Sequence, residues 1–502
     1  MDRREFLKIA GVTSGAACVL LKKNLASARG IPAADLPGTP QGQCYRGAPR
    51  GVILTSLTDM FKIGPGPSSS HTIAPMRITC NFQEAIEQLS GDDMDAAQTI
   101  HVHLFGSLSA TGKGHRTDRA ILASLLGQRP ETCDHKLMDE LADTNRKYRT
   151  TINGKTFEIG SDTIVWDKVE HNYPYTNTMV MRLVGKNGSV ILEREYYSPG
   201  GGFFQWKGQP VQERGQPSYP FGSMAEFKKL VSESGKSLHE VVLENEKAVM
   251  HVDEKQIFEH LDLVLKTMED GVDQGLSEEG LLPGPFEFYR KAKRIYERSG
   301  NAGAEDGFMQ QLSSYALAVS EGNAAGRLAV TAPTLGSAGT MPSIVYVMKN
   351  HLKMSRDTMR MGLLAAGLVG FLCKNNASIA GAEVGCQGEI GVASAMAAAM
   401  LTYATGASLD STEIAATIAL EHHLGMSCDP VGGFVLIPCI ERNAFGALKA
   451  YNAYLLAKNE IASQHWEDLD RVIAAMLETG RALPQAFKEM GTGGLGVSMV
   501  DC

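Results

Sequence analysis

The chain has 502 residues, 43% hydrophobic and 21% charged, a length that supports two or three domains, each burying its own core. Asp and Glu number 56 against 48 Lys and Arg, and the basic residues form no long run, which argues against nucleic acid as a partner. Nine cysteines, one of them the last residue, exclude a framework of simple disulfide pairs and raise the question of which belong together.

In chain order, Arg3-Arg4 precede Phe6-Leu7-Lys8, a weakly apolar stretch runs from Ile9 to Leu21, and Ala26-Ser27-Ala28 ends the segment. This pattern predicts a twin-arginine export signal cleaved after Ala28, hence an exported, periplasmic protein, with the cytoplasm as the alternative. A lipoprotein anchor at Cys18 is disfavoured, because no large aliphatic residue stands three positions before it. Residues 29–48, with Pro32, Pro37 and Pro40, read as a linker. Residues 49–220 read as a mixed α/β domain: 99–105 alternates as a strand, and 178–184 with 190–197 bracket a hairpin turn at Gly185-Lys186-Asn187-Gly188. Residues 221–300 read as a helical connector, with apolar residues at helical spacing over 238–250 and 257–268 and a Pro-Gly break at 281–285. From 301 to 502 the pattern is helix and Gly-rich loop throughout. The expected class is therefore α+β, an N-terminal α/β domain of small-molecule-binding type followed by a larger all-helical catalytic domain. The apolar runs 362–373 and 391–407 fall short of a membrane span and read as buried helices.

Two segments carry chemistry. Gly381 to Gly391 places Cys386 between Gly385 and Gly388 at a predicted helix start, and Cys428 and Cys439 follow in a second loop region. Spacing this wide is not that of a zinc ribbon. It leaves open an iron–sulfur cluster with one iron free for Lewis-acid chemistry, a zinc site, or buried structural thiols. The second segment is Gly64-Pro65-Gly66-Pro67-Ser68-Ser69-Ser70-His71-Thr72, whose hydroxyls suit a small carboxylate and whose imidazole suits proton transfer.

These motifs, together with Tyr196-Tyr197-Ser198, the glycines 200–202, Cys428-Asp429-Pro430-Val431-Gly432-Gly433, Pro438-Cys439-Ile440-Glu441-Arg442-Asn443 and the terminal Cys502, resemble the single-chain form of iron–sulfur-dependent bacterial L-serine dehydratases (L-serine ammonia-lyases) from about residue 50 to the end. The resemblance implies a beta-type domain over 49–220 and an alpha-type domain over 301–502. It implies a [4Fe-4S] cluster on Cys386, Cys428 and Cys439, with Cys502 as a tail that caps the open iron, and no pyridoxal phosphate. The reaction implied is conversion of L-serine to pyruvate and ammonia, an activity of amino-acid catabolism and gluconeogenesis. The alternatives are a β-eliminating lyase acting on cysteine or another β-hydroxy amino acid, and an exported non-catalytic amino-acid-binding protein. His71 is the expected proton acceptor, with Ser68, Ser69, Ser70 and Thr72 orienting the substrate. His115, Thr117 and Asp118 lie in a stretch that resembles the family's second amino-acid site, where Arg116 replaces a usual Gly. Leu335, His423 and Leu436 also depart from the family pattern. The partners expected are a small amino-acid substrate, the twin-arginine export machinery and a second copy in a homodimer, with no nucleic acid and no stable membrane span.

Overall fold

The computed structural model describes residues 45–46, 51–210 and 212–498. The export signal and its cleavage point, most of the linker 29–48, and Cys18, Cys44 and Cys502 lie outside these residues. Tyr45–Arg46, inside the expected linker, pair as a short parallel strand with Gln212–Glu213.

The N-terminal half is built around a five-stranded sheet. In chain order its local elements are β1 (Ile63–Pro65), α1 (Ala74–Ile86), β2 (Ala97–Gly106), α2 (Thr117–Leu125), β3 (Ile164–Trp166), β4 (Asn177–Gly185), β5 (Val190–Tyr197) and β6 (Gln205–Trp206). The sheet order is β3-β2-β4-β5-β6, with only the β2–β3 pair parallel. β2 forms because its residues alternate: Ile100, Val102 and Leu104 are buried, while His101, His103 and Phe105 on the other face are half-buried. The buried face meets α1 and α2, whose Met76, Ile78, Phe82, Ile121 and Leu125 join the same core. The hairpin between β4 and β5 turns where predicted, with Gly188 at φ 78.

The C-terminal half is a helical assembly: α3 (Leu238–Met250), α4 (Glu254–Ser277), α5 (Ala304–Ala324), β7 (Leu328–Val330), α6 (Thr340–Asn350), α7 (Arg356–Asn376), α8 (Val392–Ala404), α9 (Leu409–Glu421), α10 (Cys439–Asn459) and α11 (Leu469–Ala482). α4 starts where Asp253 and Gln256 cap each other's backbone N–H groups, and it buries Ile257, Leu261, Val264 and Met268 along one stripe. α8 is different, since every residue from Val392 to Thr402 is buried. A helix apolar all round sits at the centre of a core, and α7, α9 and α10 surround it. No helix among the described residues is long and apolar enough to cross a membrane.

One expectation for this half needs correction. The region read as all-helical contains β7, which pairs antiparallel with β1, Val330 opposite Ile63 and Leu328 opposite Pro65. The pairing is reinforced by Thr331, whose N–H donates to Lys62 O at 2.8 Å and whose Oγ1 accepts from Lys62 N at 2.9 Å. This short ladder fixes the start of the Ser/His loop against the helical half, and the described residues form one compact unit.

Candidate active site

The segment after β1 turns into α1 through one wide turn of helix, Ser69–Ile73. Ser68 caps it, its Oγ accepting from His71 N at 3.2 Å. Further bonds hold the loop from outside: Asn323 Nδ2 donates to Pro67 O at 3.0 Å and Ser198 Oγ donates to Ser70 O at 2.9 Å. Thr72 Oγ1 donates to His115 O at 2.8 Å, and Thr117 Oγ1 donates to His71 O at 2.7 Å.

His71 is fully buried. Its Nδ1 meets Ser70 Oγ at 2.8 Å and Glu489 Oε1 at 3.6 Å, and its Nε2 meets Ser107 Oγ at 3.1 Å and Thr111 Oγ1 at 3.2 Å. Burial pushes its pKa down to about 4, so the ring is neutral near pH 7. The ring of His115 packs against it, centroids 4.5 Å apart. His115 Nδ1 donates to Thr111 O at 2.8 Å, which leaves Nε2 as the acceptor nitrogen of the neutral ring. Burial, then the neighbouring His71, takes the His115 pKa down to about 3.

Cys386, Cys428 and Cys439 converge on the same cavity, which Ser68, His115, Glu389 and Glu489 also line. Cys386 opens a second wide turn, Gln387–Gly391, that runs into α8, and Cys439 is the first residue of α10. Cys428 sits in an extended segment tied to the chain's last part, its N–H donating to Phe487 O and its carbonyl accepting from Glu489 N, both at 2.7 Å. The thiols of Cys386 and Cys428 and a carboxylate oxygen of Glu389 lie within 4.8 Å of one another. Two glycines make this approach possible. A Cβ on Gly381 would lie 2.7 Å from Glu389 Oε2 and 3.1 Å from Cys428 Sγ. Gly385, at φ 75, passes so close to Met426 O that a Cβ would reach 2.6 Å.

The electrostatics of the cavity disfavour isolated negative charge. Burial, then the neighbouring Glu489, pushes the Glu389 carboxyl up to about 7, although Thr334 Oγ1 donates to it at 2.8 Å. Burial likewise pushes Glu489 up to about 7. The Cys428 thiol is held well above its usual range, first by hydrogen bonding with Cys386 and then by burial. Three thiols and two acids packed so tightly invite a cation to share their electrons.

Not every expected site residue faces the cavity. Ser68 lines it and Ser70 reaches Glu489 Oε1 at 3.3 Å, whereas Ser69 makes none of these contacts and the Thr72 hydroxyl is committed to the Ser68 and His115 backbone. His115 and Thr117, expected in a separate effector site, contact His71 itself, and His115 rather than His71 lines the cavity. Asp118 lies off the cavity wall, its Oδ1 buried without a hydrogen bond among the described residues. Leu335 is fully buried in the helical core, its carbonyl accepting from Asn323 Nδ2, and Gly336 takes its place on the cavity wall. Glu389 and Glu489 were missed. Glu389 lies three residues after Cys386, a spacing that puts both at one turn, but nothing in the order of residues brings Glu489 to Ser70.

A mixed sheet domain and a helical domain thus close one cysteine- and histidine-lined cavity. Residues 56–209 match the family model of the serine dehydratase beta chain, and residues 233–496 that of the serine dehydratase alpha chain. The chain is 39% identical over 465 residues to an L-serine dehydratase of Streptomyces coelicolor, spanning 90% of this chain and all of that one. It is 38% identical to an L-serine dehydratase of Haemophilus influenzae and to L-serine dehydratase 2 of Escherichia coli, in each case over 89% of this chain and all of the relative. The protein belongs to the serine dehydratase family, with alpha and beta regions in a single chain.

Proposed function

We propose that the protein is an L-serine ammonia-lyase that converts L-serine to pyruvate and ammonia with a [4Fe-4S] cluster held by Cys386, Cys428 and Cys439, and with Cys502 as the displaceable fourth thiolate. The observation that carries this reading is the meeting of three thiols from distant segments with Ser68 and His115 on one cavity. The donor chemistry fits the group, since the Cys386, Cys428 and Cys439 thiols line one cavity and those of Cys386 and Cys428 already lie within 4.8 Å of each other. When bound, the cluster supplies a Lewis acid that makes the β-hydroxyl a better leaving group.

The protein's own residues supply the rest. Ser68 and Ser70 orient the substrate from the loop that β1 and β7 fix. His115, neutral and with Nε2 free to accept, takes the α-proton, while the tilted ring of His71 packs against it and holds it in place. The electron pair of the broken C–H bond forms the double bond as the C–O bond breaks, and the departing hydroxide takes up the proton removed from the α-carbon and leaves as water. The resulting aminoacrylate becomes an imine and hydrolyses to pyruvate and ammonia. This assignment moves the proton acceptor from His71, the residue expected from sequence, to its neighbour. Leu335, which on sequence put the substrate in doubt, lies in the core rather than on the cavity wall and gives no reason to prefer another substrate.

The test is anaerobic purification of the mature chain, followed by assays with L-serine, other β-hydroxy amino acids and cysteine. Pyruvate from serine at the highest efficiency supports the reading; sulfide from cysteine at much higher efficiency replaces it with a cysteine lyase, and binding without turnover replaces it with a binding protein. We propose in addition that Arg3-Arg4 direct export by the twin-arginine route. Changing both to Lys should keep the full-length chain in the cytoplasmic fraction, and unchanged distribution would refute export by that route.

A further inference from the structure

A second cavity adjoins the first, and Pro67 and Val435 line both. One wall of this second space is cationic, formed by Lys113, Arg116 and Arg119 around the backbone of Gly114, and no carboxylate lines it. Arg116 is the unusual member. Its backbone is left-handed at φ 57, a region that costs a residue with a Cβ more than it costs glycine. Its side chain is only 6% exposed, and its ion pair is Nη1 to Asp139 Oδ1 at 3.2 Å, with Asp139 itself 53% exposed. Room for the guanidinium comes from Gly326, where a Cβ would stand 2.3 Å from Nη1. A buried guanidinium balanced by a single half-solvated carboxylate keeps donors free for another anion. Lys113 and Arg119 add to this, since neither takes part in an ion pair among the described residues. Asp118 on the same turn lowers their field in part, but its carboxylate does not line the cavity. The wall thus carries three cations against two acids, both set outside the space.

We infer that this cavity is an anion subsite that takes a small carboxylate or phosphate group, separate from the reaction cavity and sharing its Pro67 and Val435 wall. The guanidinium of Arg116 offers a planar pair of donors, and Arg119 and Lys113 close the charge around the oxyanion.

Inorganic phosphate and malonate serve as separate probes of the two sources of such a group, titrated against the cluster-loaded full chain at constant ionic strength. Phosphate is followed by the width of its 31P resonance, and malonate by calorimetry. The variants are R119Q and R116G; glycine accepts φ 57, so R116G keeps the local backbone, and circular dichroism checks both folds. Saturable binding of either probe to the wild type, weakened at least about tenfold in both variants, is the expected result. Binding that persists unchanged in the variants, as for an anion held at iron, overturns the inference, and so does the absence of saturable binding of both probes.

Discussion

Two neutral histidines whose rings pack with centroids 4.5 Å apart invite the question of which one meets the substrate, and their partners differ enough to answer it. Both nitrogens of His71 face hydroxyl groups, whereas His115 spends Nδ1 on a carbonyl and keeps Nε2 for the cavity. His115→Ala should therefore lower kcat by about 10²–10⁴-fold, the usual worth of a general base, with the cluster absorbance intact. His71→Ala removes a ring that only supports the first and should cost about tenfold, within the range of a misplaced catalytic group. Steady-state kinetics beside the visible spectrum check both, and the reverse order of effects would return the role to His71. Gly381 gives a second test at this scale. Gly381→Ala drives a methyl against Glu389 and Cys428 Sγ, so the purified chain should carry less iron per polypeptide, measured by metal analysis, while its far-ultraviolet dichroism stays unchanged.

Among the elements, the β1–β7 pair ties the loop that bears Ser68 and His71 to the half that bears the cysteines. Thr331 Oγ1 accepts from Lys62 N and donates to Met60 O at 2.7 Å, and it is fully buried. Thr331→Val keeps the shape and leaves that N–H and carbonyl without this partner, a cost of about 1–3 kcal/mol. The melting temperature should fall by a few degrees, and KM for serine should rise because the Ser68 loop loses its anchor; calorimetry and kinetics read the two effects. The same pair marks the limit of what could be read in advance. β2, the β4–β5 hairpin, α3 and α4 were legible because long runs repeat the period of two or of 3.6 residues. β7 is three residues long and its partner lies more than 260 positions away, so no local period announces it. The cysteines were legible for another reason, the glycines around them, but the approach of Glu489 to Ser70 and of His115 to the cysteine cavity is made by packing alone.

Across the whole molecule, buried titratable groups set how stability varies with pH, and two sets pull in opposite directions. His71 and His115 are folded at pKa values of about 4 and about 3 against 6.5 for a free imidazole, because burial disfavours the charged ring. Below pH 6.5 the unfolded chain takes up protons that the folded chain refuses, so stability falls as pH drops from 6.5 towards 4, by about 1.4 kcal/mol per unit and per ring at most. Glu489, 3.6 Å from His71, is the acid that faces this pair, and with its carboxyl pushed up to about 7 it is largely uncharged across this window and does little to oppose the effect. Glu246 acts in the other sense. It is buried beneath the Leu57 N–H, which donates to its carboxylate at 2.9 Å, and burial lifts its pKa to about 8. Between about 4.5 and 8 the unfolded chain releases a proton that the folded chain keeps, so this group makes the fold less stable as pH rises through that window. Unfolding in urea should show stability falling as pH rises from about 6.5 to 8, where the buried carboxyls of Glu246, Glu389 and Glu489 titrate and the histidines no longer oppose them. Glu246→Gln, which cannot ionise, should flatten the fall between about pH 7 and 8 and shift the slope below pH 6.5 in the stabilising-with-pH sense, because the opposing contribution of Glu246 is lost there too; a fall above pH 7 unchanged in this variant would mean that other groups set it.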